Sequence, residues 1–420
     1  MSSKNILRII VIVIICTALA AIAIILSPSK SESQFGGSSS KEEAAQSAHD
    51  QKQKGMPYID IVNPSGFVNT NNQPISLKEY IGQKVILVDF MTYSCINCKR
   101  TFPYLNSWYE KYRDDGLIII GIHTPEFAFE KDIKNVENAM KEEGITFPVV
   151  LDNDYSTWQA YKNRYWPRKY LIDIHGNIIY DHIGEGAYDE TEKQIQSALK
   201  ERADLLGVTV DLTLEKTNLE EGNDDAATRM LASKQSASAR SALAQSPETY
   251  FGSLRNERLA NGTPGTSGIQ QFVYPERFKP DALYLQGTWN IQPEYIEAPA
   301  ISLSVTSTGS RTTSLVQSVA PKSSRLTFPY TAKEVYIVAE TARKPSGESG
   351  GHGNIEVWQD GVLVRTLGSA HVDVDANSIV RVDNSRLYKL IKNKKSESHV
   401  LELRVVGDVP VRLFAFTFGS

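Results

Sequence analysis

Two cysteines, Cys95 and Cys98, stand either side of Ile96 and Asn97 in the run DFMTYSCINCKRTFP. A pair at this spacing exchanges disulfides, supplies half of a metal site, or closes a structural disulfide. Structural zinc takes four ligands. The third cysteine, Cys16, lies in an apolar N-terminal run, and no closely spaced histidine pair supplies the missing ligands. A disulfide across two residues closes too small a loop to constrain much chain entropy. Redox chemistry is therefore the expectation, with no metal and no organic cofactor.

The flanking residues position the pair. VILVDF (85–90) reads as a strand, and the segment to Arg113 has apolar residues at helical spacing. The cysteines thus fall where a strand ends and a helix starts. A helix N-terminus favours the thiolate, which is the reactive form of cysteine. On a first helical turn the first sulfur faces out and the second is shielded. Cys95 is then the nucleophile and Cys98 the thiol that resolves the mixed disulfide. Further along, LIIIGIH (117–123) reads as a strand buried on both faces. PEFAFEKDIKNVENAMKEEG reads as one helix capped at Gly144. ITFPVVLD, a short helix over DYSTWQAYKNRY, a hairpin over KYLIDIHGNIIYDHIG and a last amphipathic helix follow. This order predicts a mixed sheet covered by helices over residues 56–206.

VILVDFMTYSCINC resembles the active-site segment of thioredoxins. TYSCINCKRTFPYL, GIHTPEFAFE and WPRKYLIDIHGNIIYDHIGEG resemble the extracytoplasmic redoxin domains of the DipZ and TlpA type. The resemblance implies a thioredoxin-like α/β domain. It implies a buried acid at Asp89, which exchanges the proton of the resolving thiol. It implies a cis-proline at Pro167 that helps hold an extended partner chain beside the sulfurs. It places Glu126 near the dithiol as a modulating acid; the alternative is a solvated loop carboxylate. His123 is expected to be a satisfied polar residue at a strand end. Two positions depart from the family: Ser94 stands where many relatives have Trp, and Trp166 where a smaller residue usually precedes the proline.

The rest of the 420-residue chain surrounds this domain. From Ile6 to Leu26 only Arg8 is charged, a run long enough to cross a bilayer as a helix. Lys4 and Arg8 precede it, so the remainder is expected outside the membrane. Because the run continues past the small-residue sites Ala18–Ala20 and Ala21–Ala23, an uncleaved anchor over 1–27 is expected rather than a removed signal. Residues 28–55 are too polar to fold and read as a stalk spanning roughly 30 Å. Residues 207–248 read as a linker. From 249 to 420, short β-rich runs recur between turn signals, which predicts an all-β jelly roll or sandwich. Asp360–Gly361 marks a two-residue hairpin turn. This region resembles the carbohydrate-binding-module-like domain that follows the redoxin domain in DipZ. Trp289, Tyr295 and Trp358 are either core residues or platforms for a glycan.

With 45 Lys and Arg against 49 Asp and Glu, nothing points to nucleic acid. The expected function is a membrane-anchored, extracytoplasmic thiol–disulfide oxidoreductase, working as a reductase on protein disulfides. Since DipZ relatives carry a multi-span electron-conducting domain, a separate membrane protein is expected as electron donor. One rival is a peroxidase: Thr92 to Cys95 also fits a Thr-x-x-Cys peroxiredoxin signature, with Val88 where that signature has proline. The other is a surface glycan- or partner-binding protein with an accessory dithiol.

Overall fold

The computed structural model describes residues 55–71, 73–210, 212, 245–298, 324–341, 351–407 and 409–419. The expected anchor, nearly all of the stalk, most of the linker and the AISLSVTS run (300–307) lie outside the described residues, as does Cys16.

Among the described residues the first sheet holds β1 (Met56–Pro57), β2 (Gly66–Val68), β3 (Val85–Met91), β4 (Leu117–His123), β5 (Val149–Leu151), β6 (Arg168–Ile172) and β7 (Asn177–Ile183). Helices α1 (Ile96–Tyr112), α2 (Ile133–Glu142), α3 (Ser156–Ala160) and α4 (Tyr188–Leu206) connect them. The sheet order is β1-β7-β6-β3-β4-β5-β2. β3 and β4 are buried along their whole length, as strands covered on both faces must be. β3 pairs in parallel with β4 and antiparallel with β6, so it lies centrally and carries the dithiol at its C-terminal end. One face of the sheet packs Leu87, Phe102, Leu105, Trp108 and Leu199; the other packs Ile86, Val88, Phe90, Ile120 and Tyr170. The β6–β7 hairpin turns where Asp173 accepts the backbone N–H groups of His175 and Asn177, with Gly176 at φ +85°.

The single helix expected after Pro125 is two elements. Ala128–Lys131 is a 3-10 turn, and α2 starts only after Asp132, whose side chain accepts the Lys134 N–H as an N-cap. A capping aspartate inside a helical pattern divides it, and periodicity alone passes over that division.

The second half is all β: β8 (Thr249–Tyr250), β9 (Gly268–Phe272), β10 (Tyr284–Ile291), β11 (Ile296–Glu297), β12 (Arg325–Thr341), β13 (Gly353–Gln359), β14 (Val362–Leu363), β15 (Ile379–Val382), β16 (Arg386–Val406) and β17 (Val411–Gly419), with a short helix α5 (Val364–Leu367). RLTFPYTA and EVYIVAETA fuse into the 17-residue β12, and SRLYKLIK and HVLELRVV into the 21-residue β16. Their pairing slips between Ala332 and Glu334, where the strands bend. One half of β12 therefore pairs β10 and the other β17. Asp360 and Gly361 have φ +53° and +78° and join β13 to β14, the turn the Asp-Gly pair predicts. Gly55–Ser420 forms one compact unit, so the two sheets belong to one body.

Candidate active site

Cys95 is the N-cap of α1 and is half-buried, whereas Cys98, one turn in, is fully buried; both are free thiols. The helix-start geometry thus gives one accessible sulfur and one shielded sulfur. Burial, the neighbouring Cys95 sulfur and the charge of Asp89 push the Cys98 thiol well above its ordinary value. Cys98 needs a base before it can act as a nucleophile.

Asp89 supplies a carboxylate beneath it. The strand VILVDFM is buried throughout, and Asp89 is 0% exposed. Burial raises its pKa to about 6, while the adjacent Lys169 pulls it down. Lys169, also fully buried, sits on β6 directly opposite Asp89, with its Nζ 3.5 Å from Asp89 Oδ1. Among the described residues, neither the Asp89 carboxylate oxygens nor Lys169 Nζ has a hydrogen-bond partner of normal geometry. The pair is therefore sustained by charge. Lys169 is a residue that sequence reasoning missed; its one signal is a lysine inside the otherwise apolar run KYLI.

Pro167 is buried, and the Trp166–Pro167 bond is cis. The surface beside the sulfur is presented by Trp166, whose indole N–H donates to the Thr124 carbonyl at 3.1 Å and whose ring lies 4.3 Å from that of Trp158. The departure from a small residue here is therefore a pinned wall of the site. His123 is fully buried, and burial lowers its pKa to about 3, so it is a neutral core histidine stacked on Tyr93. Thr92 is equally buried, with its hydroxyl 3.4 Å from His123 Nε2.

Sequence reasoning also missed Glu130. It is fully buried and accepts the Ser94 hydroxyl at 2.6 Å, the Ser94 N–H at 3.2 Å and the N–H groups of Glu126 and Phe127 at 2.6 and 3.0 Å. One carboxylate thereby ties the residue before Cys95 to the loop that carries Glu126. Ser94 is the small donor, by hydroxyl and by N–H, that this carboxylate holds.

Glu126 does not stand in open solvent. It lines a cleft of about 680 Å³ together with Cys95, Trp166, His182, Tyr250 and Arg255. The all-β domain forms one side of this cleft. Ile96, between the cysteines, is buried with Phe127, Tyr336, Val338, Leu387 and Phe414 in a cluster drawn from both domains. Arg100 pairs with Glu185 at 3.3 Å and reaches Glu334 of β12 at 3.9 Å.

The aromatic residues considered for a glycan fare differently. Trp289 is fully buried in the core and has no face to offer. Arg404 lies over the Trp358 ring at 3.8 Å and Arg412 over Tyr295 at 4.8 Å. One face of each of these half-buried rings is covered by a guanidinium. Among the described residues no cluster of metal-ligating side chains occurs, and no helix is long and apolar enough to cross a membrane.

Comparison with known proteins places these observations. Residues 51–199 match the Redoxin family model, and residues 246–317 and 308–419 match one described as thioredoxin like C-terminal domain. Protein DipZ of Mycobacterium tuberculosis (strain CDC 1551 / Oshkosh) is 34% identical over 303 residues, covering 72% of this chain and 36% of that protein. The chain thus spans about a third of the length of the DipZ proteins it matches. Thiol-disulfide oxidoreductase YkuV of Bacillus subtilis (strain 168) is 28% identical over 130 residues, 31% of this chain and 87% of YkuV. A crystal structure of a thiol:disulfide interchange protein of the thioredoxin family from Chlorobium tepidum TLS is 22% identical, with a TM-score of 0.30, covering 35% of this chain and 97% of that one. The chain carries a thioredoxin-like redoxin domain followed by an all-β C-terminal domain, and it is related to DipZ proteins at moderate identity. The redoxin fold with its Cys-x-x-Cys pair supports thiol–disulfide oxidoreductase activity.

Proposed function

We propose that the protein reduces protein disulfides outside the cytoplasm, held to the membrane by residues 1–27. The observation that carries this reading is the asymmetry of the dithiol: an accessible Cys95 at a helix N-terminus, and a buried Cys98 above an Asp89–Lys169 pair. The Cys95 thiolate attacks one substrate sulfur. A Cys95–substrate disulfide forms and the other substrate sulfur leaves as a thiolate, which takes up a proton. Cys98 then loses its proton to Asp89 and attacks the Cys95 sulfur. The Cys95–Cys98 disulfide forms and the second substrate thiolate leaves. The substrate gains two electrons and two protons, and a dithiol donor must return two electrons to the enzyme. A membrane-embedded donor fits the relation to DipZ. Pro167 and Trp166 flank the path of the partner chain, and Glu126 modulates the sulfur.

The all-β domain, taken as a sandwich of the carbohydrate-binding-module kind, forms a wall of the cleft. A glycan bound to it could not stack on the fully buried Trp289. Turnover tests the reaction class. With dithiothreitol as donor, the full chain should reduce a disulfide-bonded protein catalytically and consume hydrogen peroxide no faster than a simple thiol. Fast peroxide turnover without disulfide turnover would replace this reading by a peroxidase.

A further inference from the structure

The hydrogen-bond partners of the Glu126 carboxylate come from the other domain. Tyr250 of β8 places its hydroxyl 2.7 Å from Glu126 Oε1, and Arg255 Nη1 lies 2.9 Å from the same oxygen. The Arg255 guanidinium stacks over the Tyr250 ring at 3.6 Å, which fixes the two groups together. Two residues after Glu126, the Ala128 N–H donates to the Glu294 carboxylate at 2.9 Å. From inside, Glu130 holds the Glu126 N–H. The loop is therefore clamped from both sides, and its carboxylate is held by the all-β domain while it lines the cleft that holds Cys95. The Tyr250 hydroxyl also stands 2.7 Å from Glu248 Oε2. Having one proton, it donates to one carboxylate at a time, which leaves Arg255 as the constant partner of Glu126.

We propose that the all-β domain completes the redox site: Tyr250 and Arg255 are positioning residues that hold Glu126 and offset its charge, and so set the reactivity of Cys95. This rests on Cys95 being the reacting thiol. A carboxylate in the cleft disfavours a nearby thiolate, and a paired carboxylate disfavours it less. The clamp acts against a mixed background. Arg100, Arg164, Tyr165, His182, Glu185 and Glu248 also line the cleft, with Cys98 and Asp89 below. Arg100 is engaged with Glu185 and Glu334, so Arg255 is the cation paired with Glu126.

A double-mutant cycle on the full reduced chain tests this. The readout is the pH profile of iodoacetamide alkylation at Cys95, since Cys98 is buried. Arg255→Gln and Tyr250→Phe should each move the midpoint up, by on the order of 0.5 pH unit for a group acting across an open cleft. Glu126→Gln should move it down. In the Glu126→Gln background, Arg255→Gln and Tyr250→Phe should have no effect, because the carboxylate through which they act is gone. An unchanged midpoint in both single variants overturns the proposal. So does an Arg255→Gln shift of equal size in the Glu126→Gln background, which would make Arg255 a direct partner of the sulfur. Tyr250→Phe keeps the ring and Glu126→Gln the shape, so loss of fold does not decide the result. Alkylation needs no disulfide substrate, so a failure of the proposed reductase activity would leave this outcome unaffected.

Discussion

Asp89 and Lys169 show what burial does to a single charge. An isolated buried carboxylate is a liability, and replacing it with a neutral isostere should stabilise a protein. With Lys169 fully buried 3.5 Å away, the sign reverses, because Asp89→Asn leaves an uncompensated ammonium in the core. Asp89→Asn should lower stability by about 3 kcal/mol in chemical denaturation, and Asp89→Asn/Lys169→Met should recover most of the loss. An Asp89→Asn variant more stable than the parent would show that the pair does not act as a unit. The same pair sets a pH dependence. Asp89 accepts the Cys98 proton only when ionised, so resolution of the mixed disulfide should slow as pH falls through about 6. Lys169→Met removes the group that holds this pKa down, so the inflection should move to higher pH in rapid-mixing kinetics. It should vanish in Asp89→Asn, whose resolution should be slower by about 100-fold or more. Cys95 and Cys98 are legible in the sequence because a strand, a turn and a helix follow in direct succession around them, whereas Asp89 and Pro167 are read there only through the resemblance to thioredoxins. Lys169 could not be paired with Asp89 in that way. Its relation to Asp89 exists only in the register of β3 against β6.

The loops after β3 and β4 meet on one carboxylate. Glu130 accepts hydrogen bonds from Ser94 on one loop and from Glu126 and Phe127 on the other. Glu130→Gln keeps the shape but puts an amide donor where one carboxylate oxygen accepted, so in either orientation at least one backbone N–H faces a group that cannot accept. Charge-assisted bonds carry about 1.5–3 kcal/mol each, so the variant should lose about 2–3 kcal/mol of stability and alkylate at Cys95 with an altered rate. Unchanged stability and alkylation would make Glu130 a bystander. The strand-rich runs around these loops were legible because period and burial agree along β3 and β4. The division of the expected helix at Asp132 was not, since FAFEKD and IKNVENAM share one apolar pattern and only the cap separates them. The long β12 and β16 read as pairs of shorter strands because the bend between their halves is polar on its outer side. Continuity across it is set by cross-strand pairing, which sequence period does not report.

The redoxin and all-β halves share a core. Phe414 of β17 packs edge-on against Phe127 at 5.1 Å and Phe129 at 4.9 Å, both on the loop next to Glu126. Tyr250, Arg255 and Phe414 meet residues 124 or more positions earlier, contacts that no local pattern in the sequence announces. If that shared core couples the halves, thermal unfolding should be a single transition, and Phe414→Ala should cost about 3–5 kcal/mol and divide it into two. A single unshifted transition would mean that the halves are coupled elsewhere. Trapping on the full chain tests whether Cys95 attacks and Cys98 resolves. After incubation with disulfide-bonded partner proteins, Cys98→Ser should accumulate a mixed disulfide through Cys95, seen as a thiol-sensitive adduct by non-reducing electrophoresis and mass spectrometry. Cys95→Ser should form none. An adduct on Cys95→Ser with none on Cys98→Ser would reverse the two roles.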